Sequence, residues 1–443
     1  MNKSRQSKPT YTDTLIKRRE QLMGHAYRLF YEQPVHIVRG EGVWLYDRDG
    51  KPYLDVYNNV PHVGHCHPRV VEAVCKQMKT LNTHTRYLHE NVLDYAEKLC
   101  NRFPVGLDIA MFACSGTEAN ELALRLARAK TGATGMIVTE HAYHGTSWAI
   151  AQITTCYGTS EQRGDNIVTV PTPDSFRGLY ADDNEAAEKY ASHLDKAIET
   201  LAENGHRPAA FIVDTIFSNE GLPRVPPGYL AKAVEIVRNA GGLFVADEVQ
   251  PGFGRLGTDF WGFESHGVKP DIATLGKPMG NGYPISAVVS SAEVIDAFVK
   301  QSHYFNTFAG TPVACAAALA VMEVIEQEQL QANALETGNY LLQGLQNLAA
   351  NQPLIGDIRG SGLFIGIDLV RQPGSREPAT AETEKAINLL RQNGVLIGST
   401  GQYDNILKIR PPMVFSKKNA DFLLVKLESA FNRIATDRRT TDT

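Results

Sequence analysis

The residue of this sequence best placed to do chemistry is Lys277, in the stretch DIATLGKPMGNGYP. An apolar run precedes it, and Gly276, Pro278, Gly280 and Gly282 surround it, so its backbone is held tightly around something. Lysines at such positions are ordinarily solvated. One that is partly desolvated has a lowered pKa and can serve as a Schiff-base nucleophile and proton carrier. A second run, GLFVADEVQPGFGR, ends on Asp247, followed by Glu248 and Gln250. A carboxylate after four apolar residues is costly to bury without a cationic partner, such as a protonated pyridine nitrogen; its plainer role is to cap the next loop. A third run, FACSGTEANELALRLARAK, sets Ser115, Gly116 and Thr117 at the start of a helix whose Leu122 and Leu126 share the buried side. Free N–H groups and the helix dipole suit a phosphate there, although the same triplet is a common N-cap. EHAYHGTS offers Tyr143 either to stack on a flat ring or to fill the core, and YFNTFAGTP carries Thr307 as a further phosphate donor.

These polar residues follow apolar runs, as ligand-binding residues do at the carboxyl ends of strands in open α/β sheets. From about Asn91 to Met322 the runs DIAMFAC, GMIVTE, AAFIVD, GLFVADE and DIATLG alternate with amphipathic stretches. That pattern predicts a mostly parallel sheet buried on both faces. Val35 to Asp55 alternates apolar and polar positions around Arg48-Asp49-Gly50-Lys51 and reads as short strands. The chain before about Tyr31 is basic and helical in character. After about Glu323 a helical stretch leads into the strand-like IGDIRGSGLFIGIDLV, and the tail from Lys417 is helical again. The expectation is an α/β protein with a large domain over 81–325 and a smaller α/β domain built from 1–80 and 326–443.

Composition narrows the function. Of 443 residues, 21% are charged and 43% hydrophobic, an ordinary globular balance. A formal net charge of -5 argues against nucleic acid as a partner, and an anionic substrate needs a local basic pocket. No apolar run is long enough for a membrane span, and Met1 to Gln21 lacks the apolar stretch of a secretory signal. The expected setting is cytoplasmic, away from membranes. The six cysteines are scattered singly, as free thiols in a reducing compartment are. His62, His65 and His67 in PHVGHCHP stand close together, but no carboxylate or further ligand completes a set, so no metal is expected.

Lysine, aspartate, phosphate loop and aromatic in this order resemble the class III aminotransferases, the ω-aminotransferase subgroup of fold-type-I pyridoxal-phosphate enzymes. The resemblance covers nearly the whole chain and is carried by SGTEANELALRLAR, YHG, ADEVQPGFGR, GKPMGNGYP and NTFAGTP. It implies an aspartate-aminotransferase-like fold and pyridoxal 5′-phosphate held by Lys277 as a Schiff base. By the same resemblance Asp247 pairs with the pyridine nitrogen, Gln250 lies near O3′, Tyr143 stacks on the ring, and Ser115, Gly116 and Thr117 bind the phosphate. It further implies a homodimer with two shared active sites, in which Thr307 reaches the phosphate of the neighbouring subunit; a tetramer is left open.

The sequence departs from that pattern in two places. Members using α-amino acids carry EPxxGEGG before the Asp strand, where this chain has DTIFSNEG, with Asn219 at the position of the switching Glu. They carry Arg three residues before a C-terminal PP, where LKIRPPM has Lys408. Arg offers a bidentate fork to a carboxylate and Lys a point charge, so α-carboxylate recognition is expected to be altered or lost. YNNVPHVGHCHPRV, which contains Asn59, and LNTHTRYLHEN are similar to a narrower branch. That branch comprises phospho-lyases acting on phosphoethanolamine or phosphohydroxylysine and an ammonia-lyase acting on 1-hydroxy-2-aminoethylphosphonate. The implied substrate is a small amine bearing a phosphate or phosphonate. Arg28, Asn59, Arg86, Lys408 and Arg410 are its candidate contacts, each of the charged ones having a surface ion pair as its ordinary alternative. The implied reaction expels phosphate or hydroxyl and releases ammonia and an aldehyde. The alternative is amino transfer to pyruvate or glyoxylate.

Overall fold

The structure, a computed structural model, describes residues 10–157 and 163–441. The strands are β1 (Ile37–Glu41), β2 (Trp44–Asp47), β3 (Pro52–Asp55), β4 (Ile109–Ala113), β5 (Gly135–Thr139), β6 (Ile167–Val170), β7 (Pro208–Asp214), β8 (Leu243–Asp247), β9 (Ile272–Leu275), β10 (Ser286–Ser290), β11 (Ile355–Ser361), β12 (Phe364–Leu369), β13 (Val395–Leu396), β14 (Gly398–Thr400) and β15 (Ile406–Ile409). The helices are α1 (Tyr11–Met23), α2 (Pro68–Thr80), α3 (Glu90–Cys100), α4 (Gly116–Thr131), α5 (Trp148–Ile153), α6 (Ala186–Glu203), α7 (Tyr229–Asn239), α8 (Ala292–Val299), α9 (Pro312–Gln327), α10 (Leu330–Ala349), α11 (Thr380–Gln392) and α12 (Lys417–Thr441).

Seven strands form the central sheet in the order β4-β10-β9-β8-β7-β5-β6. The apolar runs are its strands because continuous hydrophobicity is what burial on both faces demands. In β7, Ala210 and Ile212 face one core together with α4, α5 and α8, while Phe211 and Val213 face the other with α6, α7 and α9. The sheet is parallel except for β10, which runs antiparallel to both β4 and β9. The reason is the length of its connection. Residues 276–285 are too few for a crossover helix, so the chain turns back beside β9, and that turn carries Lys277.

The two ends of the chain build two smaller sheets. In β1-β2-β3-β13 the N-terminal hairpins accept β13 in parallel, Val395 opposite Leu54, so residues over 300 positions apart share one sheet. The other, β11-β12-β15-β14, is antiparallel and presents Lys408 from β15. A lattice of buried charges joins it to the central sheet. Arg359 of β11 pairs with Asp357 and Asp368 and donates to the carbonyls of Gly221 and Leu222, while Arg177 pairs with Asp368. Arg359 stays buried because each of its guanidinium nitrogens finds an acceptor. Among the described residues no helix is long and apolar enough to cross a membrane.

The loop after β8 is fixed by Glu248. Its carboxyl accepts from Thr215 Oγ1 at 2.7 Å and from the amides of Gly262 and Phe263 at 2.7 and 2.9 Å. Burial pushes its pKa up to about 8, against those bonds.

A further packing constraint lies in α10. Gly338 faces the β11–β12 turn so closely that a methyl group would land on the Gly362 carbonyl. Helix propensity alone makes Gly→Ala stabilising by about 1 kcal/mol. Here the sign reverses: Gly338→Ala should lower stability by about 2 kcal/mol through overpacking, read as a fall in the urea midpoint.

Candidate active site

A cleft opens beyond the carboxyl ends of β7, β8 and β9, and four chain segments converge on it. The start of α4 contributes Gly116, Thr117 and Asn120; the loop after β5 contributes Tyr143, His144 and Gly145. The ends of β7 and β8 contribute Asp214, Asp247, Val249 and Gln250, and the β9–β10 turn contributes Lys277.

The α4 end is shaped by close backbone approach. A Cβ on Gly116 would come within 3.0 Å of Val249, and one on Gly276 within 3.2 Å of Val249 and 3.4 Å of the Gly116 Cα. Only glycines let the β4–α4 turn lie against the end of β9. Ser115 caps α4, its hydroxyl accepting from the Glu118 amide at 3.3 Å. The amides of Gly116 and Thr117 lie in the first turn, where the helix itself supplies no acceptors, which suits an anionic group. Thr117 Oγ1 accepts from the Thr146 amide at 3.3 Å and so ties in the β5 loop.

Asp247 is held by three donors. Asn120 Nδ2 and His144 Nδ1 donate to its Oδ2 at 2.9 and 2.7 Å, and the Val249 amide donates to Oδ1 at 3.1 Å. Asn120 also donates to the His144 carbonyl at 2.7 Å, locking the three residues together. Burial by itself pushes the His144 pKa down, but the hydrogen bond and charge of Asp247 outweigh it and raise it. Asp214 stands opposite Asp247 in the β7–β8 register, with its carboxyl bonded to the Ile216 amide and the Ser218 hydroxyl. Burial and the neighbouring Asp247 charge raise the Asp214 pKa.

The lysine is half-buried. Burial, then the charge of Arg410, lowers the Lys277 pKa, and Asp247 and Asp214 only partly offset them. Arg410 follows β15 and is buried; its Nη1 donates to Gln250 Oε1 and, at 3.3 Å, to Asn59 Oδ1, and its guanidinium lies 4.5 Å from the Tyr57 ring centroid. Its Nε has no hydrogen-bond partner among the described residues. Lys408 is 3% exposed, and burial followed by the charge of Arg410 holds its pKa well below the usual lysine range.

The structure thus brings together Gly116, Thr117, Tyr143, Asp247, Gln250 and Lys277 in one cleft, with Ser115 at the helix cap. Asn59, Lys408 and Arg410 are buried beside it. Arg28, Arg86 and Thr307 are exposed and line no part of the cleft in this chain; Arg86 instead lies 3.9 Å from the Phe305 ring centroid. Sequence reasoning missed Asn120, His144 and Asp214. The signal for Asp214 was present, since it ends AAFIVD as Asp247 ends GLFVAD. The clustered histidines have separate partners: His62 bonds the Phe253 carbonyl, His65 pairs with Asp55 and His67 with Glu328. Among the described residues no group of three or more His, Cys, Asp or Glu is arranged to hold a metal ion.

The family model described as aminotransferase class-III matches residues 29–431. A Drosophila melanogaster protein named alanine–glyoxylate aminotransferase 2-like is 41% identical over 433 residues, covering 96% of this chain and 88% of that protein. A Caenorhabditis elegans protein named ethanolamine-phosphate phospho-lyase homolog 1 is 39% identical over 424 residues, covering 92% and 91%. Among solved structures, a phospholyase from Arthrobacter in complex with phosphoethanolamine superposes with a TM-score of 0.92 at 46% identity, covering 94% of this chain and 99% of that one.

The Asn120 clamp makes a prediction. Asn120→Ala removes one donor from Asp247 and the tie to the His144 carbonyl. It should cost about 2 kcal/mol, the range for a buried hydrogen bond to a charged group, read in equilibrium denaturation.

Proposed function

The chain belongs to the class III aminotransferase family, and we propose that it works there as a lyase on a small amine bearing a phosphate or phosphonate. The family's cofactor is pyridoxal 5′-phosphate, and the cleft fits it: a glycine cradle beside a helix N-terminus, a half-buried lysine of lowered pKa, and a carboxylate fixed by three donors. Lys277 would hold it covalently, the α4 start its phosphate, and Asp247 its ring nitrogen. When bound, it supplies an electron sink for charge developing beside the amine.

The observation that carries the substrate class is the concentration of buried positive charge next to Lys277. Arg410 lowers the pKa of Lys277, and Arg410 and Lys277 both lower that of Lys408. Lys408 and Arg410, two mutually repelling cations that pair with no carboxylate among the described residues, favour an incoming anion in a low-dielectric place. Lys408 stands where α-amino-acid members have Arg, and Asn219 where they have Glu; the Asn219 amide donates to the His141 carbonyl at 3.1 Å and so serves the main chain. A phosphoryl or phosphonyl group, with more charge than a carboxylate, matches a pair of point-like donors.

In this reading Lys408 and Arg410 anchor the head group, with Gln250 and Asn59 orienting the Arg410 fork. Lys277, its pKa lowered by burial, takes the proton from the carbon bearing nitrogen. The oxygen on the adjacent carbon then departs with its electron pair. The unsaturated amine that is released hydrolyses to an aldehyde and ammonia, with no keto acid consumed.

The test is ammonia release by holoenzyme without a keto acid, from phosphoethanolamine, phosphohydroxylysine and 1-hydroxy-2-aminoethylphosphonate separately, with free phosphate assayed in parallel. Ammonia with equal phosphate makes it a phospho-lyase; ammonia without phosphate from the phosphonate makes it an ammonia-lyase. Silence with all of them, followed by amino transfer once pyruvate or glyoxylate is added, replaces the lyase with an aminotransferase, the activity in the name of the Drosophila relative. In the active assay Lys408→Met should raise KM at least about tenfold, a loss of about 1.4 kcal/mol or more of head-group binding, with a smaller change in kcat.

A further inference from the structure

The turn after β7 carries a hydroxyl that the reaction just described does not use. β7 ends on Asp214, and the chain reverses at once: the Phe217 amide donates to the Asp214 carbonyl at 2.8 Å, and Phe217 takes φ +52°. The left-handed region is costly for so bulky a residue, and the ring is held there by burial in the core. The turn brings the Ser218 hydroxyl back onto Asp214 Oδ2, to which it donates. The C-terminal sheet holds the same segment by its main chain. Thr400 Oγ1 donates to the carbonyls of Ser218 and Asn219 at 3.0 and 3.1 Å, and the Gly401 amide to that of Asn219 at 3.1 Å. Ser218 is thus fixed from both sides. In EPxxGEGG its position is glycine, so the hydroxyl is a further departure of DTIFSNEG from that pattern.

From Ser218 a line of hydrogen bonds runs to Arg410. Gln250 Nε2 donates to Ser218 Oγ at 2.5 Å, and Gln250 Oε1 accepts from Arg410 Nη1. Asp214, Ser218, Gln250 and Arg410 are all buried. The two ends of the line fix its direction. A guanidinium can only donate, and an ionised carboxylate can only accept. Ser218 has one proton and gives it to Asp214, so its oxygen is open to an N–H group. Gln250 must then turn its NH2 toward Ser218 and its oxygen toward Arg410. Reversal at either joint would set two donors or two acceptors face to face, each buried and unmatched.

Arg410 depends on the Gln250 oxygen. Among the described residues its guanidinium pairs with no carboxylate, and its second acceptor, Asn59 Oδ1, is at 3.3 Å. Both acceptors are neutral amide oxygens. They orient the guanidinium without cancelling its charge, which an ion pair would do, so the charge stays available to an anion. The carboxylate of Asp214 reaches Arg410 only through the aligned dipoles of Ser218 and Gln250.

We propose that Ser218 is a positioning residue for anion binding: by holding the Gln250 amide in one orientation, it keeps the Arg410 guanidinium fixed and uncompensated for the head group of the substrate. The inference rests on the head-group role given to Arg410 above. Without the hydroxyl, Gln250 Nε2 is a buried donor that has lost its acceptor, and Asp214 Oδ2 has lost a donor. The amide then turns to satisfy its NH2 elsewhere and takes its oxygen away from Arg410. The guanidinium keeps the longer Asn59 contact, and its grip on an anion loosens, although Ser218 itself touches no ligand.

The experiment measures by calorimetry the affinity of holoenzyme for ethyl phosphate, which has the anionic head group and no amine. Ser218→Ala and Ser218→Gly both delete the hydroxyl, and each should bind about tenfold more weakly than wild type, within the coupling expected along one hydrogen-bond network. Arg410→Met should also bind more weakly, and in that background Ser218→Ala should cost nothing further, because the residue through which it acts is gone. Wild-type affinity in either Ser218 variant, or a second loss of the same size in the Arg410→Met background, would overturn the proposal. If Arg410→Met binds ethyl phosphate as wild type does, the head-group role of Arg410 fails instead. Ser218 is then judged by the crystal structure of the Ser218→Ala holoenzyme. A Gln250 oxygen more than about 3.5 Å from Arg410 Nη1 supports its hold on the pair, and a bond still in place overturns it.

Discussion

The constraint on which the site depends is the burial of opposite charges in one water-poor cleft. Half-buried Lys277 and buried Lys408 and Arg410 are gathered near buried Asp214, Asp247 and Glu220. In a low dielectric each charge is felt by the others, and each would shift or neutralise if left alone. The protein answers unequally. Asp247 receives three donors, whereas among the described residues Lys408 has no carboxylate partner and one oxygen of Glu220 has no donor.

That inequality needs a rigid frame. The central sheet supplies it by ending adjacent parallel strands at one level, so that Asp214 and Asp247 stand side by side. The glycine contacts around Val249 press the α4 start against the end of β9, and Glu248 fixes the next loop through the amides of Gly262 and Phe263. The C-terminal sheet is then bolted on by Arg359 through carbonyls of the segment that carries Glu220. A shift at this seam would change the distance between Lys408 and its carboxylates, so packing and electrostatics are one design here.

Much of this was legible in the residues. Lys277 and Asp247 stood out because a charge closing an apolar run must be paired or functional, and LKIRPPM marked Lys408 as a departure. The strands of the central sheet were legible because burial on both faces leaves continuous apolar runs. The reversal of β10 was not, because SAVVS has the composition of its parallel neighbours and only the length of the 276–285 connection decides its direction. Asp214 ended its run as plainly as Asp247, yet its importance comes from strand register, which pairs the two carboxylates.

What the sequence by itself determined is therefore local: which segments bury both faces and which residues end them, since these follow from each residue's own chemistry. What only the tertiary structure decided is pairing at a distance. Asn120 and His144 meet on Asp247, and β13 joins β3. Periodicity carries no record of such contacts. Their energies depend on burial and separation, and both come into being only when the sheets close on one another.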